Sequence, residues 1–415
     1  MVDSIKKVED GESELVSSIR DKLQILPSLS SESCIYMVPS VLRSVNELAY
    51  SPKIVSIGPL HRRKEQLLAI ELHKQCYLKD FLDRNAHISL EDCVKSLQGL
   101  EEKARSYYAE PISLSSNDFV EMMLLDGCFV LELFLRDKYP KLRNQVDPIF
   151  KNSRLPTWIY NDLFLLENQL PFFVFENLYS LTNGCSCSEQ YTSFSFKDKI
   201  HTEKCSFLEL TLGYFNYFGS YTNRSKLLLP KKSDLHVNHF LHLLQISYQP
   251  SEAKLEPKGN GRLEFIPNAS ELHEAGIRFK KVTAAKSFMD VKFTNGVLEI
   301  PYLHIGETTY LRFPNIIAME QCGVSKTTYF TDYCLLMACL INSPSDVKLL
   351  KGLGIIGNFV GCSDNWVCSK EEVSRIFDKL CKGIRTKSES FYYRRLFEDV
   401  DAHYNAQKQK TGNSN

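Results

Sequence analysis

The chain has 415 residues, with 50 Lys and Arg against 50 Asp and Glu, so its formal net charge is zero. Proteins that coat nucleic acid or an anionic membrane carry an excess of Lys and Arg, so this balance argues against both classes. Hydrophobic residues make up 43% of the chain and charged residues 24%, which is typical of a globular protein with a large core.

The N-terminal residues 1–26 carry charges throughout and lack the apolar region of a secretory signal. No stretch reaches the roughly 20 mostly apolar residues that a membrane-spanning helix needs. The 13 Cys residues are odd in number and scattered, so we expect reduced thiols. These features predict a protein that is cytoplasmic or peripheral at the membrane.

The first predicted elements are an amphipathic helix with its linker, residues 1–33, and a helical core lobe, residues 34–181. The helix is indicated by an apolar stripe: Leu15, Ile19, Leu23 and Leu26. In the lobe, a proline-rich strip precedes helices predicted at 61–84, 89–109 and 118–138. The third helix is apolar on nearly all sides, so we place it at the centre. A kinked apolar segment, 161–181, completes the lobe.

The second half is predicted to begin with a loop-rich helical insert, residues 182–262, followed by a C-terminal lobe, residues 263–402. Asn295 and Gly296 stand between alternating apolar residues, which is the preferred signal of a type I′ hairpin turn. Helices follow at 309–321, 331–341, 345–350 and from Ser369, and we expect a disordered tail over 403–415. The predicted fold class is mainly α, a large helical domain with a small β-hairpin or sheet element in the C-terminal half.

Eight blocks of sequence, in order from about Cys34 to about Tyr404, closely resemble the plant family known as domain of unknown function 247. The blocks are CIYMVPSVLRSVNELAYSPKIVSIGPLH, ELHKQCYLKDFL, FVEMMLLDGCFVLELF, NDLFLLENQLPFFVFENLY, NASELHEAGIRFK, FTNGVLEIPYLHI, NIIAMEQC and DVKLLKGLGIIGN. The resemblance implies a plant protein without an established enzyme activity. It also implies a link to self-incompatibility recognition and a membrane-anchored family whose members end in an apolar helix. This chain reaches Asn415 without such a helix, and it has Arg62 where the family often has His.

No cofactor is expected from the motifs. The stretch 352–357 fits the G-x-G-x-x-G string, but no β-α-β unit surrounds it, so we interpret it as a turn between two helices. The alternative is a small zinc site, because thiolates and an imidazole are zinc ligands. Its candidate ligands are Cys185, Cys187, His201 and Cys205. Their Cys-x-Cys spacing is tighter than the usual Cys-x2-Cys, so we favour a loop with free thiols.

Three histidines, His236, His239 and His242, are spaced by three. On a helix the outer two rings diverge by about 120 degrees, so the three do not easily share one metal ion. The spacing favours a satisfied or half-exposed helix surface.

Polar residues inside the two most apolar segments, 118–138 and 161–181, are the main candidate binding residues. Buried acids and amides need partners. We therefore expect either a cleft site, with groups from the proline-rich strip brought near, or a structural role in which these groups satisfy backbone atoms. The candidates are Arg43, His61, Asp126, Glu167, Asn168 and Gln169.

We expect a non-catalytic interaction or recognition protein with an unidentified protein partner, which displays loops 182–203 and 249–262 as its recognition surfaces. One alternative is an undescribed enzyme in which Asp126, Glu167 and His61 act as acids or bases. A second is a membrane-associated protein that lacks the family's C-terminal anchor.

Overall fold

The computed structural model describes residues 15–20, 32–144, 146–182, 205–220, 235–252, 263–323, 327–358, 369–386 and 388–412. Over these ranges the chain is mainly α-helical with two small sheets. The predicted fold class is confirmed.

The first half is built from helices that surround one central helix, α6. The α-helices are α1 (15–20), α2 (Ser40–Arg43), α3 (Glu71–Arg84), α4 (Leu90–Gln98), α5 (Glu101–Ser106), α6 (Ser116–Lys138), α7 (Pro148–Lys151), α8 (Leu155–Asp162), α9 (Phe172–Thr182), α10 (Phe207–Ser220) and α11 (Phe240–Tyr248). Short 3-10 turns lie at Glu47–Ala49, Glu65–Ile70 and Pro140–Leu142.

Helix α6 is buried on nearly all sides, as its composition predicts. Sixteen of its 23 residues are buried, and α3, α4, α9 and α10 pack around it. The helix begins two residues earlier than predicted, because the hydroxyl of Ser115 accepts a hydrogen bond from Asp118 N and caps the first turn. A helix in this position organises every neighbouring element of the first half.

Two of the predicted helices are divided. The segment 61–84 begins with turns and a 3-10 stretch, and α3 starts only at Glu71. The predicted helix 89–109 is two helices, because Gly99, a poor helix former, follows α4. Helix α4 opens with a capping box formed by Ser89 and Asp92. Because the helix is broken, the backbone carbonyl of Tyr107, just after α5, can accept hydrogen bonds from the N–H groups of Cys34 and Ile35.

The second half contains both sheets. Its elements are α12 (Ala269–Glu274), β1 (Arg278–Val282), β2 (Lys292–Thr294), β3 (Val297–Pro301), β4 (Leu303–Ile305), α13 (Glu307–Cys322), α14 (Tyr329–Leu340), α15 (Pro344–Gly352), β5 (Ile356–Asn358), α16 (Lys370–Cys381), a 3-10 turn (Ser388–Ser390) and α17 (Arg394–Gly412). The predicted hairpin is confirmed, since Asn295 and Gly296 both have positive φ and β2 pairs antiparallel with β3. Strand β1 joins β3 in parallel, and β4 pairs in parallel with β5.

Two predictions for the second half are wrong. The stretch 352–357 is not a turn between two helices, because β5 follows α15 and pairs with β4. The tail 403–415 is not disordered from its start, since α17 continues to Gly412. The reason is tertiary packing: the ring of His403 packs against Phe293 of β2 with centroids 5.6 Å apart, and Tyr404 is buried.

A single cluster of buried apolar side chains runs through both halves. Asn315 of α13 reinforces the join, because it accepts a hydrogen bond from Leu166 N at 2.9 Å and donates to Ala49 O at 2.7 Å. Within the described ranges, no helix is both long enough and apolar enough to cross a bilayer.

Candidate functional site

The candidate residues converge on the N-terminal strip, which we define as residues 34–61. Much of this strip lacks regular secondary structure, yet Ile35, Val55 and Ile57 are fully buried. Its buried N–H and C=O groups therefore need partners outside a helix or sheet. The carboxylates and amides of α6, α8 and the segment 163–171 supply many of them.

Glu167 contacts Arg43 and His61, the two candidate residues that lie in the strip. Its carboxylate forms an ion pair with Arg43, lies 3.0 Å from His61 Nε2, and accepts a hydrogen bond from Val38 N at 2.6 Å. Burial alone would raise the pKa of Glu167, but the contacts with His61, Arg43 and Val38 lower it overall. Glu167 is thus held as a carboxylate.

His61 is buried, and its contact with Glu167 has the distance of an ion pair without the alignment of a hydrogen bond. Its Nδ1 has no hydrogen-bond partner among the described residues. His61 is thus a buried ring held beside the carboxylate of Glu167.

Asp126, in the middle of α6, binds the strip at a separate point. Its carboxylate pairs with Lys74 Nζ at 2.6 Å and accepts from Gly58 N at 2.8 Å. Lys74 also donates to Ser56 O at 2.6 Å. Burial raises the pKa of Asp126, and Lys74 offsets part of this effect. The pair fastens the strip to α3 and α6.

Asn168 and Gln169 use their side-chain amides on backbone groups. Asn168 accepts from Ile57 N at 2.7 Å and donates to Val55 O at 3.0 Å. Gln169 donates to the carbonyls of Leu163 and Leu165, both at 2.8 Å. These contacts satisfy buried backbone atoms of the strip and of its own segment.

Asp162, the last residue of α8, is not among the predicted candidates, although its side chain binds the backbone of the strip directly. Its carboxylate accepts from three consecutive backbone N–H groups, those of Lys53, Ile54 and Val55, at 2.7 to 3.1 Å. Burial raises its pKa to about 6, although these donors lower it. The available signal was the same as for Glu167: an acid next to a dense apolar run.

We call this set the buried polar network: Arg43, His61, Lys74, Asp126, Asp162, Glu167, Asn168 and Gln169. Three cavities lined by described residues have volumes of about 20, 200 and 480 Å³, and none of the six predicted candidates lines any of them. The geometry brings Arg43, His61 and Glu167 together, and it places Asp126 with Lys74 instead. Of the network, Asp162 lines the 20 Å³ cavity, and the six predicted candidates form contacts away from all three cavities.

A second buried ionic cluster, also missed, joins α3 and α6. Arg136 donates to Asp147 at 2.7 Å and to Asp80 at 2.5 Å, and it lies 3.3 Å from Glu132. Its guanidinium stands 3.9 Å from the ring centre of Tyr77, whose hydroxyl donates to Asp147. Each charge in this cluster has a partner of opposite sign, as a structural ion cluster requires.

The zinc alternative falls largely outside the described residues, since Cys185, Cys187 and His201 lie there. Cys205 is described, and its sulfur accepts a hydrogen bond from Lys138 Nζ at 3.4 Å. Among the residues that the structure describes, no group of three or more His, Cys, Asp or Glu side chains is arranged to hold a metal ion.

The three histidines do not lie on one helix surface, contrary to our prediction. His236 lies in the extended segment before α11, His239 caps the N-terminus of that helix, and only His242 lies on it. All three line the 480 Å³ cavity. The spacing of three favours a helix, but the side chain of His239 ends the extended segment by accepting a hydrogen bond from His242 N.

Comparison with known proteins identifies the family. A family model described as plant protein of unknown function, DUF247, matches residues 35–413. The chain belongs to this family. The DUF247 chain is 30% identical over 399 residues to UPF0481 protein At3g47200 of Arabidopsis thaliana, covering 93% of this chain and 80% of that protein. It is 23% identical over 446 residues to putative UPF0481 protein At3g02645 of the same plant, covering 89% and 82%. No solved structure matches it.

Proposed function

We propose that this DUF247 protein is a non-catalytic interaction protein that presents an exposed apolar surface to a protein partner. One observation carries the proposal: Leu48 and Trp158 are 72% and 39% exposed and line the same shallow cavity, with Lys53 and Leu311. Exposed apolar side chains that lie together mark interaction surfaces, and Trp is enriched among the residues that dominate binding. We call these four residues the Leu48–Trp158 patch.

The patch rests on a rigid frame. Leu48 lies in the 3-10 turn whose last residue, Ala49, accepts a hydrogen bond from Asn315. Trp158 lies on α8, whose last residue, Asp162, holds the backbone at Lys53. Both sides of the patch are therefore fixed by hydrogen bonds to buried side chains, which lowers the entropy lost when a partner binds.

The buried polar network supports a scaffold over an enzyme. Catalytic acids and bases gather in a pocket where they reach the substrate. Here Asp126 and Glu167 are engaged with Lys74, Arg43 and backbone N–H groups. Such contacts support the role of a frame.

Recognition through the predicted loops, a role in self-incompatibility and attachment at a membrane are further proposals. The predicted recognition loops, 182–203 and 249–262, lie almost wholly outside the described residues. Cell-cell recognition such as self-incompatibility, and attachment at a membrane, rest on the family resemblance. We place the interaction in the cytoplasm or at the membrane face, and fractionation of plant cells with and without high salt would separate these locations.

The experiment compares partners captured by the tagged full-length chain from plant cells, by crosslinking and mass spectrometry. The test variant is Leu48→Asp with Trp158→Ser, and the matched control is Val146→Asp, at a position that is 78% exposed and does not line the patch. We expect a reproducible partner with the wild type and the control, and its loss with the test variant. Retention by all three chains rejects the patch, and the lack of any reproducible partner rejects the proposed function.

A further inference from the structure

The largest of the three cavities, about 480 Å³, lies apart from the buried polar network. Its walls come from residues 32–36, from α5 and the residue after it, from the start of α11 and from the end of α13. Sites for small organic ligands commonly have volumes of about 300 to 1,000 Å³. The size of the cavity therefore suits a small molecule.

The wall is held by backbone hydrogen bonds. The N–H groups of Cys34 and Ile35 both donate to Tyr107 O at 2.9 Å, and Ala109 N donates back to Ile35 O at 3.0 Å. Tyr107 itself is buried, and its ring packs edge to face on Phe173. The cavity is thus formed before any ligand arrives.

The buried ring of His239 fixes the inner end of the cavity. Its Nδ1 accepts from His242 N at 3.2 Å, so its proton is on Nε2, which lies 3.2 Å from Cys34 O. Burial lowers the pKa of His239 to about 3, so the ring is neutral. Both nitrogens are engaged, which leaves His239 as a structural member of the wall.

His242 is arranged differently and offers a donor. Its Nδ1 accepts from Asn238 N at 3.1 Å, so the proton of this ring is also on Nε2. No described residue accepts a hydrogen bond from that Nε2–H. Burial lowers the pKa of His242 to about 4, which keeps the ring neutral near pH 7. A half-buried N–H donor of fixed tautomer therefore lines the cavity.

The outer part of the cavity carries charge. Lys103 is exposed, its ammonium lies 4.4 Å from the ring centre of Phe173, and it belongs to none of the ion pairs of the described residues. Glu32, the acidic residue among the lining side chains, is exposed and already has a partner. Lys103 interacts electrostatically with the nearby carboxylate of Glu176, and because it forms no ion pair within the described residues it remains able to attract an anionic ligand.

We propose that this cavity binds a small organic carboxylate, with a carboxylate oxygen accepting from His242 Nε2–H and the apolar body against Tyr107 and Met319. Lys103 attracts the negative charge from the outer part. The ligand is not a metal ion, because both nitrogens of His239 are engaged and the Nδ1 of His242 accepts a backbone hydrogen bond. This inference is independent of the partner surface proposed above.

The first test is a fluorine NMR titration of the full chain with three probes of matched shape: para-fluorobenzoate, para-fluorobenzamide and para-fluorobenzylammonium. We expect saturable binding of the benzoate and roughly tenfold weaker binding of the other two, because a hydrogen bond to a charged acceptor is the stronger one. Two results overturn the proposal: no saturation by the benzoate up to about 10 mM, well above a Kd of ~1 mM, or equal binding of all three probes.

Variants locate the bound benzoate. His242→Asn keeps an acceptor oxygen for Asn238 N and removes the Nε2–H donor, so we expect roughly tenfold weaker binding. Lys103→Met keeps the apolar stem and should abolish the salt dependence of binding. Their controls are His87→Asn and Lys95→Met, both at exposed positions. Binding by His242→Asn and Lys103→Met that equals that of their controls overturns the proposal.

A further readout does not depend on how His242→Asn folds. Ring-nitrogen NMR of histidine-labelled wild type follows the Nε2–H signal of His242 directly as the benzoate is added. We expect this signal to shift with the same saturation as the fluorine signal, and the signal of His87 to stay unchanged. A bound benzoate that leaves the His242 signal unmoved rejects the assigned site.

Discussion

Asp162 shows how one side chain can order a stretch of backbone. Its carboxylate accepts from three successive N–H groups of the strip, a number that no helix or sheet partner supplies to this segment. The cost is that a carboxylate is buried, which raises its pKa to about 6 from 3.8. Asp162 is therefore both an anchor for the strip and a group whose protonation affects stability.

We predict that Asp162→Asn reduces the pH dependence of the free energy of unfolding. Because the folded-state pKa is above the unfolded-state value, the folded chain binds this proton more tightly. The stabilisation that the folded chain gains from binding this proton is full below about pH 4 and is lost as the pH rises to about 6. Over this range the free energy of unfolding changes by at most ~1.4 kcal/mol per pH unit. The asparagine removes this titration.

The measurement is urea unfolding of the two chains at several pH values between about 4 and 7. Asp83→Asn, at an exposed position, is the control and should behave as the wild type. A wild-type pH dependence in Asp162→Asn would show that the pKa of Asp162 is not raised.

Sequence alone predicted part of the candidate site at this scale. One of the two alternatives for the polar clusters brings Arg43 and His61 near Glu167, because polar groups inside apolar segments need partners, and the structure does bring these three together. Asp126 was expected near them, but it pairs with Lys74. Lys74 was not singled out, because a lysine on an amphipathic helix is usually solvated, and only the tertiary fold shows that it is buried.

At the scale of elements, the strip and the segment 163–171 approach closely at one glycine. Gly58 has a φ of +81°, and a Cβ placed there would lie 2.3 Å from Gln169 O. A backbone oxygen cannot move aside as a flexible side chain can. The strip can therefore dock only because this residue has no side chain.

We predict that Gly58→Ala destabilises the protein by roughly 2 to 4 kcal/mol, since it adds a clash to an unfavourable backbone conformation. Thermal and urea unfolding followed by circular dichroism would measure the loss. Gly213→Ala in α10 is the matched control, because nothing lies within 4 Å of its Cβ position. It should be neutral or stabilising by up to ~1 kcal/mol. Equal stability of the two variants would contradict the close approach.

Elements with local signals were predicted well, and those fixed by distant contacts were not. The hairpin at Asn295 and Gly296, the N-cap at Ser89 and the capping box at Ser369 are set by neighbouring residues and are present. The continuation of α17 to Gly412 depends on packing against β2, more than 100 residues earlier in the chain. Periodicity within a polar tail gives no sign of such a contact.

At the scale of the whole molecule, one residue ties three regions together. Asn315 of α13 is fully buried and bonds to Ala49 of the strip, Leu166 beside the network and Leu311 of its own helix. The apolar core is continuous across the same junction. We therefore expect the described halves to unfold together.

We predict that Asn315→Leu lowers the free energy of unfolding by roughly 2 to 5 kcal/mol, because it leaves Leu166 N and Ala49 O buried without partners. Urea unfolding should still show one transition, with a lower midpoint. Asn405→Leu, on the exposed side of α17, is the control and should change little. A second, separate transition in the wild type would contradict the coupling of the halves.

The hydrogen bonds of the strip also set an order for synthesis on the ribosome. The acceptors of Val55 N and Val38 N are synthesised 107 and 129 residues later in the chain. Asn315, which donates to Ala49 O, is synthesised 266 residues after Ala49. At about 5 to 20 residues per second, the last interval alone takes roughly 13 to 53 seconds. Until Asn315 is synthesised, Ala49 O lacks its final partner, and the join between the strip and α13 cannot form. The strip lies in the first part of the chain and is nevertheless among the last parts of the fold to be completed, so we expect chaperones to act on it longest during synthesis.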